Sequence, residues 1–472
     1  MNNLFSIIWG TRQIKNPQLL VYLSSVVKQL KGMGIKPLDR IAITDENSVE
    51  YIILLLALWQ IKAVAAPISP RWPDKTITSY ASRISAKRIF RGEDIKRAVC
   101  FDARQQMEAE DYKELDLEQE VTVIATSGSS GEAKAAVHTW GNHFYSAKGS
   151  QETIPLVSSD RWLLSLPLCH ISGIAITVRC LLSGAALVVA TDADLITAIE
   201  RGKVTHVSLV STQLQRLLAE EKNHATLRSL KCILLGGSAI PRTLIEQSVS
   251  LGLNIYLSYG LTEMSSQVAT GKVVTANQPC VKVLPYRQIC INPIPMSFPR
   301  TRESIEGEIL VKGEVLFKGY VTGTKIHLPT VSMSFPNASV GNPNKNNLWF
   351  ATGDIGHLDK DGCLSVTGRR DNMFISGGEN IHPEEIEKAL LSIKGIVEAI
   401  VVPKEDKEFG QRPIAFIKFS GDPLTEDHII QCLQAQLPRF KIPTAFFPWP
   451  QNLISQSLKI SRQEFLEKLP RR

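Results

Sequence analysis

Short runs of aliphatic and β-branched residues recur along the first half of the chain, and segments with helical spacing separate them. Strands that alternate with helices form βαβ units, so the pattern predicts largely parallel sheets and an α/β fold. In such sheets the ligand crevice lies outside the carboxyl ends of the strands. The predicted strands are Val121–Ala125, Ala186–Ala190, Val204–Val210, Cys232–Leu235 and Ile255–Leu257, and the predicted helices are Gln213–Glu221 and Pro241–Leu251.

The pattern changes twice in the second half of the chain. A stretch rich in Pro, Asn, Ser and Thr predicts a β-rich subdomain at about 285–368, with a polar loop at His327–Asn347. After Arg369 a compact α/β unit is expected, with one helix at Ile381–Ile393 and strands at Val397–Pro403 and Arg412–Phe419. A chain of 472 residues is too long for one ordinary core. We therefore predict a large domain over residues 1–370 and a small one over 371–472, with the boundary at Asp371.

One apolar segment, Tyr51–Ile68, must be considered as a possible membrane-spanning helix. Gln60 and Lys62 interrupt it, and its unbroken part is about half of a bilayer span. It is expected to be a buried helix that leads into a strand. No basic segment followed by an apolar core opens the chain, so no secretion signal is predicted.

Composition narrows the class of protein. Hydrophobic residues make up 44% and charged residues 21%, which is typical of a soluble globular protein. The net charge of +7 is small and spread along the chain, which argues against a nucleic-acid-binding surface. The eight cysteines form no C-x-x-C pair, so a zinc finger or a disulfide framework has little support, and a reducing cytoplasm is expected.

The strongest local signal is TSGSSGEAK, which spans Thr126–Lys134 directly after a predicted strand. Small residues let backbone N–H groups approach phosphate oxygens, hydroxyl groups add donors, and Lys134 adds a positive charge. The spacing is not that of the Walker phosphate loop. A flexible surface loop is the alternative that the local sequence leaves open.

Other candidates are weaker when taken alone. Thr262–Glu263 could cap a helix, and Gly236–Ala239 could be a simple strand-to-helix turn. Asp354 could stabilise a turn, and His170, in an apolar stretch, could be a packed core residue.

Seven or more ordered motifs resemble the superfamily of acyl- and aryl-CoA synthetases, peptide-synthetase adenylation domains and luciferases. After TSGSSGEAK come LPLCHISG (Leu166–Gly173), LLGGSAIP (Leu234–Pro241), YGLTEMSS (Tyr259–Ser266), GEILVKGEVLFKGY (Gly307–Tyr320), TGD (Thr352–Asp354), GRRDNMFISGGENIHPEEIE (Gly368–Glu387) and LKISRQ (Leu458–Gln463). The resemblance covers about three-quarters of the chain. It implies the adenylate-forming enzyme fold, with a β-rich subdomain and a small mobile α+β C-terminal domain.

The resemblance also implies roles in nucleotide binding. Tyr259 is expected to stack on adenine, Thr262 to contact phosphate, Glu263 to hold Mg²⁺, and Asp354 to bind the ribose with Arg369 nearby. The implied nucleotide site comprises Thr126, Ser127, Gly128, Ser129, Ser130, Gly131, Lys134, Gly236, Ser238, Ala239, Tyr259, Gly260, Thr262, Asp354 and Arg369.

The same resemblance implies two reaction steps, with ATP, Mg²⁺ and coenzyme A as cofactors or co-substrates. Lys459 is expected to act with Lys134, Glu263 and His170 in catalysis, and His170 to form a gate between the acid pocket and the CoA tunnel. Asp371 is the expected hinge. The implied acid pocket comprises His170, Thr212, Gln213, Gly237 and Ser265, and the implied CoA site comprises Gly377, Gly378 and Glu379.

Four further segments, KAAVHTW, RWLLSLPLCHISG, VSLVSTQLQRLL and KEDKEFGQRPIAFI, resemble the o-succinylbenzoate–CoA ligase subfamily of menaquinone biosynthesis. Ser211 departs from it, since proline is expected there. The alternatives are a ligase for another aryl or medium-chain acid, a non-catalytic nucleotide-binding relative, and a peptide-synthetase adenylation module. The expected partners are small molecules rather than nucleic acid, and formation of a homo-oligomer stays open.

Overall fold

The computed structural model describes residues 5–99, 114–126, 133–191, 194–237, 240–276, 279–293, 306–332, 348–377, 379–406, 408–450, 462–466 and 468. Its helices are α1 Asn16–Gly32, α2 Val49–Gln60, α3 Asp74–Arg83, α4 Gly92–Ala98, α5 Trp140–Thr153, α6 Ile171–Ser183, α7 Leu195–Gly202, α8 Ser211–Leu218, α9 His224–Ser229, α10 Arg242–Ser250, α11 Pro383–Leu391, α12 Glu426–Gln434 and α13 Arg462–Leu466.

The strands of the first half are β1 Ile7–Trp9, β2 Arg12–Ile14, β3 Arg40–Thr44, β4 Val64–Pro67, β5 Arg88–Arg91, β6 Glu120–Thr126, β7 Lys134–Thr139, β8 Arg161–Leu163, β9 Ala186–Val189, β10 His206–Leu209, β11 Cys232–Leu235, β12 Ile255–Leu261 and β13 Ser266–Lys272. The later strands are β14 Lys282–Val283, β15 Arg287–Pro293, β16 Gly307–Gly313, β17 Gly319–Thr322, β18 Lys325–His327, β19 Val331–Ser332, β20 Leu348–Leu358, β21 Leu364–Arg369, β22 Phe374–Ser376, β23 Glu379–Ile381, β24 Ile396–Asp406, β25 Gly410–Phe419 and β26 Phe446–Pro448.

Two large sheets carry the first part of the chain, as the alternating pattern predicts. The nine-stranded sheet has the order β14-β13-β12-β11-β10-β8-β9-β1-β2, and its strands from β12 to β1 are parallel. The seven-stranded sheet has the order β18-β17-β7-β6-β4-β3-β5 and is parallel from β6 to β5. The largest apolar cluster joins residues of both sheets with α1, α2 and α6.

The apolar segment Tyr51–Ile68 is a buried helix followed by a strand, which confirms that prediction. Every α2 residue from Tyr51 to Trp59 is fully buried, so the helix is apolar on all sides. Among the described residues, no helix combines the length and apolarity that a membrane crossing needs.

A third, antiparallel sheet follows, with the order β15-β16-β20-β19 and with β21 paired to β20. The β-rich region predicted at about 285–368 is divided, because β17 and β18 join the seven-stranded sheet instead. Gly319 and Tyr320 of β17 pair with Val137 and Ala136 of β7. Residues 333–347 of the polar loop lie outside the described residues.

The last part of the chain forms its own five-stranded sheet, β23-β22-β25-β24, with β26 paired to β25. The expected strands Val397–Pro403 and Arg412–Phe419 lie within β24 and β25. The helix expected at Ile381–Ile393 is the shorter α11, and Ile381 ends β23 instead. These elements share a separate apolar cluster with α12. A 3-10 turn at Arg370–Asn372 separates this sheet from β21.

One covalent link was not predicted. Cys280, just before β14, forms a disulfide with Cys363, just before β21, across 83 residues of sequence. The spacing of the cysteines in the sequence does not reveal this pair. Only the packing of β14 against the β20–β21 hairpin brings the two residues together.

Candidate active site

A turn that contains two glycines lies at the carboxyl edge of the nine-stranded sheet. The parallel strands β11 and β12 align Leu235 with Leu257, so the turn after β11 and the end of β12 lie side by side, at the edge where α/β sheets bind ligands. Gly237 has a φ of +85°, and a Cβ on Gly236 would lie 3.2 Å from the Ser258 carbonyl oxygen. A side chain on Gly236 would therefore press on β12.

Asp354 lies at the centre of a polar cluster. The Tyr259 hydroxyl donates to its Oδ2 over 2.7 Å, and the Arg369 guanidinium donates to its Oδ1 over 2.9 Å. Burial and the neighbouring Asp354 carboxylate raise the pKa of Tyr259 well above its usual value, so its proton stays on the phenol. The β20–β21 register places Asp354 directly opposite Arg369. The structure thus brings Tyr259, 95 residues before Asp354 in the sequence, into contact with two predicted nucleotide ligands of one hairpin.

Glu263 belongs to a second cluster on the same side of the fold. The Tyr320 hydroxyl donates to its Oε1, and the Lys134 ammonium lies 5.2 Å from the centre of the Tyr320 ring. Burial and the Glu263 charge raise the pKa of Tyr320. Tyr320 was not among the predicted site residues, although it ends the quoted motif GEILVKGEVLFKGY. Only the pairing of β17 with β7 brings it beside Lys134.

His138 supports the turn that carries Thr262 and Glu263. Its ring Nε2 lies 2.7 Å from the Thr262 carbonyl oxygen, which also accepts from the Ser265 N–H group. Because a carbonyl only accepts, Nε2 carries the hydrogen. Burial lowers the pKa of His138 to about 4, so the imidazole is neutral at pH 7. His138 also escaped the sequence analysis, since a histidine in an apolar strand has no distinguishing pattern.

The predicted acid-pocket residues differ in their surroundings. His170 is partly exposed and directly precedes α6, so it is not a packed core histidine. Thr212 is exposed, and the Gln213 side chain accepts from the Val210 N–H group at the start of α8. Ser265 is fully buried, and its hydroxyl donates to the Val315 carbonyl.

Arg179 is a buried cation that sequence reasoning missed. It lies on α6 nine residues after His170, and only 2% of it is exposed. Its guanidinium donates to Gln267 Oε1 over 2.5 Å and lies 5.2 Å from the centre of the Trp162 ring. No ion pair joins it to a carboxylate in the part of the chain that the structure describes. Burial lowers the pKa of Arg179 to about 10, and a buried cation without a counter-charge is costly unless an anion meets it.

In the C-terminal unit, Gly377 lies in the turn of the β22–β23 hairpin, with a φ of +58°. Glu379 begins β23, one residue past Gly378. The Asp371 carboxylate lies 3.8 Å from Arg369 Nη2, so the expected hinge contacts a predicted nucleotide ligand.

Several predicted site residues lie outside the described residues and keep their predicted roles untested. They are Ser127, Gly128, Ser129, Ser130, Gly131, Ser238, Ala239, Gly378 and Lys459. Thr126 and Lys134, which flank the predicted phosphate loop, are paired in register at the ends of β6 and β7.

The described residues contain no group of three or more His, Cys, Asp or Glu side chains suited to a metal ion. Mg²⁺ bound to a nucleotide usually takes only one or two protein carboxylates and fills its other positions with phosphate and water. The half-buried Glu263 carboxylate, within a polar cluster that includes Lys134, fits that arrangement.

Two models of protein families match this chain. A model for AMP-binding enzymes matches residues 17–321, and a model for the C-terminal domain of AMP-binding enzymes matches residues 385–452. Among individual relatives, the 2-succinylbenzoate–CoA ligase of Bacillus cereus is 32% identical over 484 aligned positions, which cover 96% of this chain and 94% of that protein. The ligase of the same name from Oceanobacillus iheyensis is 32% identical, and the alignment covers 89% of this chain and 87% of that protein.

Solved structures of o-succinylbenzoate–CoA synthetase are also similar to this chain. The o-succinylbenzoate–CoA synthetase of Bacillus subtilis in complex with the acyl-adenylate intermediate OSB-AMP superposes with a TM-score of 0.79 at 27% identity, covering 98% of this chain and 95% of that one. A structure of that enzyme with ATP and magnesium ion gives a TM-score of 0.76 at 28% identity, covering 95% and 93%.

Proposed function

The chain belongs to the family of AMP-binding enzymes, and we propose that it is an ATP-dependent 2-succinylbenzoate–CoA ligase acting in menaquinone biosynthesis. The observation that carries the ligase class is the convergence of Tyr259, Asp354 and Arg369 beside Glu263 and Lys134. Relatives named for this acid, similar over nearly the whole chain, support the substrate.

The reaction has two steps. A substrate carboxylate oxygen attacks the α-phosphorus of ATP, a P–O bond forms, and the bond to the leaving pyrophosphate breaks. Asp354 and Arg369 hold the ribose end of the nucleotide, while Lys134 attracts the pyrophosphate. Lys459 stabilises the charge that grows between the carboxylate and the α-phosphate. Glu263 would hold Mg²⁺, which would neutralise part of the phosphate charge.

In the second step the CoA thiol, losing its proton, attacks the acyl carbon beside His170. A C–S bond forms, and the C–O bond to AMP breaks. Before this step the small domain rotates about Asp371 and exchanges Lys459 for the Gly377–Glu379 turn. A few backbone angles at a hinge can absorb such a motion. ATP and CoA are cytoplasmic metabolites, so we place the reaction in the cytoplasm.

The buried Arg179 supports an acid with two carboxylates. Adenylation consumes one carboxylate of 2-succinylbenzoate, and the other needs a cationic partner inside the protein. Arg179 is a buried guanidinium without a carboxylate partner among the described residues, and it lies about two and a half helical turns beyond His170. We assign it to the second carboxylate.

The test of the function is pyrophosphate release with Mg-ATP and CoA over a panel of acids: 2-succinylbenzoate, benzoate, 4-chlorobenzoate, a medium-chain fatty acid and no acid. Turnover only with 2-succinylbenzoate, with its CoA thioester detected by mass, is expected. Turnover with another acid instead would overturn the substrate, and a folded but inactive protein would point to a non-catalytic relative.

Replacing Arg179 tests the second-carboxylate assignment. Arg179→Gln should raise KM for 2-succinylbenzoate by about 10- to 100-fold, because a charge-assisted hydrogen bond is lost, while KM for ATP stays nearly constant. Steady-state kinetics measures both constants. Ser183→Ala, at the end of the same helix, is the control. Equal rises in both KM values would reject the assignment.

A further inference from the structure

Gln267 holds the buried Arg179 guanidinium with a neutral oxygen. Its Oε1 accepts from Arg179 Nη2 over 2.5 Å, and its Nε2 donates to the Thr270 hydroxyl over 2.6 Å. Each of these three residues is only 2% exposed. An amide turned the other way would place its NH₂ group against the guanidinium, which only donates. The Gln267 side chain therefore has one orientation, with its oxygen toward Arg179.

Gln267 also belongs to the hairpin that carries nucleotide-binding residues. It lies on β13 directly opposite Gly260 of β12, and Glu263 lies in the turn between these two strands. The backbone carbonyl of Gln267 accepts from the buried Arg287 guanidinium. Gln267 is thus fixed through its backbone as well as its side chain. It holds Arg179 at a set distance from the residues that contact the nucleotide.

The neutral amide leaves the positive charge of Arg179 uncompensated. A glutamate at this position would accept the same hydrogen bond but would also neutralise the guanidinium. Arg287 adds a second enclosed charge, since it donates to the Pro285 and Gln267 carbonyls, which carry no net charge. Burial, together with the charge of Arg179, lowers the pKa of Arg287 to about 9. In the part of the chain that the structure describes, neither arginine forms an ion pair with a carboxylate, so an anion is favoured here.

We propose that Gln267 is a positioning residue that sets the preference for a dicarboxylic acid, because it orients Arg179 toward the second carboxylate without neutralising it. The inference rests on the proposed function, in which Arg179 meets that carboxylate. A substrate with one carboxylate would leave the buried guanidinium unpaired, which is costly. A substrate with two carboxylates pairs it, provided that their separation matches the distance between Arg179 and the nucleotide.

Gln267→Glu tests the role of charge, because the side chain keeps its shape and its bond to Arg179. This variant should raise KM for 2-succinylbenzoate by about 10- to 100-fold, as expected for loss of a charge-assisted interaction, and change KM for ATP by less than about twofold. Its melting temperature should stay the same or rise, since the new carboxylate supplies the missing counter-charge. Steady-state kinetics and calorimetry measure these quantities. Gln431→Glu, the same change at an exposed position of α12, is the matched control and should alter none of them.

A double-variant cycle tests whether Gln267 acts through Arg179. Gln267→Leu removes the acceptor without adding a charge and should raise KM for 2-succinylbenzoate by about tenfold. In the Arg179→Gln background the same substitution should add less than about twofold, because the group that Gln267 orients is gone. Equal effects of Gln267→Leu in both backgrounds would show that Gln267 acts independently of Arg179 and would overturn the proposal.

The outcomes separate this role from the proposed function. A folded wild type without turnover of 2-succinylbenzoate would overturn both. An active wild type in which Gln267→Glu leaves KM for 2-succinylbenzoate unchanged would overturn the role of Gln267 alone. The same holds if Gln267→Glu raises both KM values and lowers the melting temperature, since a glutamine that only supports the fold would do so. A selective rise in KM for the acid, with the melting temperature retained, supports the proposal.

Discussion

His138 and His143 are enclosed beside the Thr262 turn, with their ring centres 5.2 Å apart. Burial lowers the pKa of His138 to about 4 and that of His143 well below its usual value. Both rings are neutral in the folded protein at pH 7, whereas an unfolded histidine takes up a proton near pH 6.5. Because the unfolded state binds more protons between pH 6.5 and 4, stability falls as the pH falls through that window.

The prediction for His138 follows from that difference. Between pH 7 and pH 5 its contribution should lower the free energy of unfolding by about 2 kcal/mol. His138→Gln keeps a donor for the Thr262 carbonyl and removes the titration, so its stability should depend less on pH. Urea unfolding at both pH values measures this, with His428→Gln, an exposed histidine on α12, as the control. Identical pH dependence in wild type and His138→Gln would contradict the prediction.

At the residue scale the motifs predicted three polar side chains that the structure brings into contact. Tyr259, Asp354 and Arg369 were all predicted, and the structure unites them. Arg179 and His138 were missed because both lie in apolar segments without a distinctive pattern. What distinguishes these two side chains is their burial and their hydrogen-bond partners, and both are properties of the tertiary structure.

At the scale of elements, the β20–β21 hairpin illustrates how a glycine allows a charged contact. Gly353 has a φ of +74°, and a Cβ there would lie 2.9 Å from Arg369 Nη2. Gly362, in the same hairpin, has a φ of +75° and nothing within 4 Å of an added Cβ. Both glycines therefore have a left-handed backbone that disfavours a side chain. Only at Gly353 would an added Cβ also collide with Arg369.

Substituting each glycine separates the two effects. Both Gly353→Ala and Gly362→Ala should lose about 1 to 2 kcal/mol of stability from left-handed backbone strain. Only Gly353→Ala should also push Arg369 away from Asp354 and raise KM for ATP, by about tenfold if one charge-assisted bond is lost. Calorimetry and steady-state kinetics test these effects. A comparable rise in KM for Gly362→Ala would show that hairpin strain, rather than the Arg369 contact, is responsible.

Periodicity predicted individual elements well and their assignment to sheets less well. The strands at Cys232–Leu235 and Val121–Ala125 appear within a residue of their predicted bounds, and α10 covers the predicted helix except for its ends. The strand β17 joins the seven-stranded sheet rather than the β-rich sheet. The sequence did not predict this pairing, because the partner strand β7 lies about 180 residues earlier. Pairing between strands so far apart in the sequence cannot be predicted from local sequence patterns.

At the scale of the whole molecule, the Cys280–Cys363 disulfide links the edge of the nine-stranded sheet to the hairpin that carries Asp354 and Arg369. A disulfide typically stabilises a protein by about 2 to 4 kcal/mol. In a reducing cytoplasm the pair would exist as two thiols, so the redox state of the surroundings decides whether the link forms.

The disulfide is therefore directly testable. Peptide mapping of protein purified without reductant should yield a Cys280–Cys363 cross-linked peptide, and dithiothreitol should lower the melting temperature. The Cys280→Ser/Cys363→Ser variant should not respond to dithiothreitol, whereas Cys290→Ser should respond like wild type. Free thiols at both positions under oxidising conditions would refute the pairing.

By itself the sequence determined the α/β class, the family and the order of its motifs, because these depend on local periodicity and on short segments whose residues are adjacent. Only the tertiary structure decided that Tyr320 contacts Glu263, that Arg179 is buried without a carboxylate partner among the described residues, and that Cys280 meets Cys363. Those features join residues separated by tens to hundreds of positions. Their energies depend on burial and on distance in space, which the folded chain alone fixes.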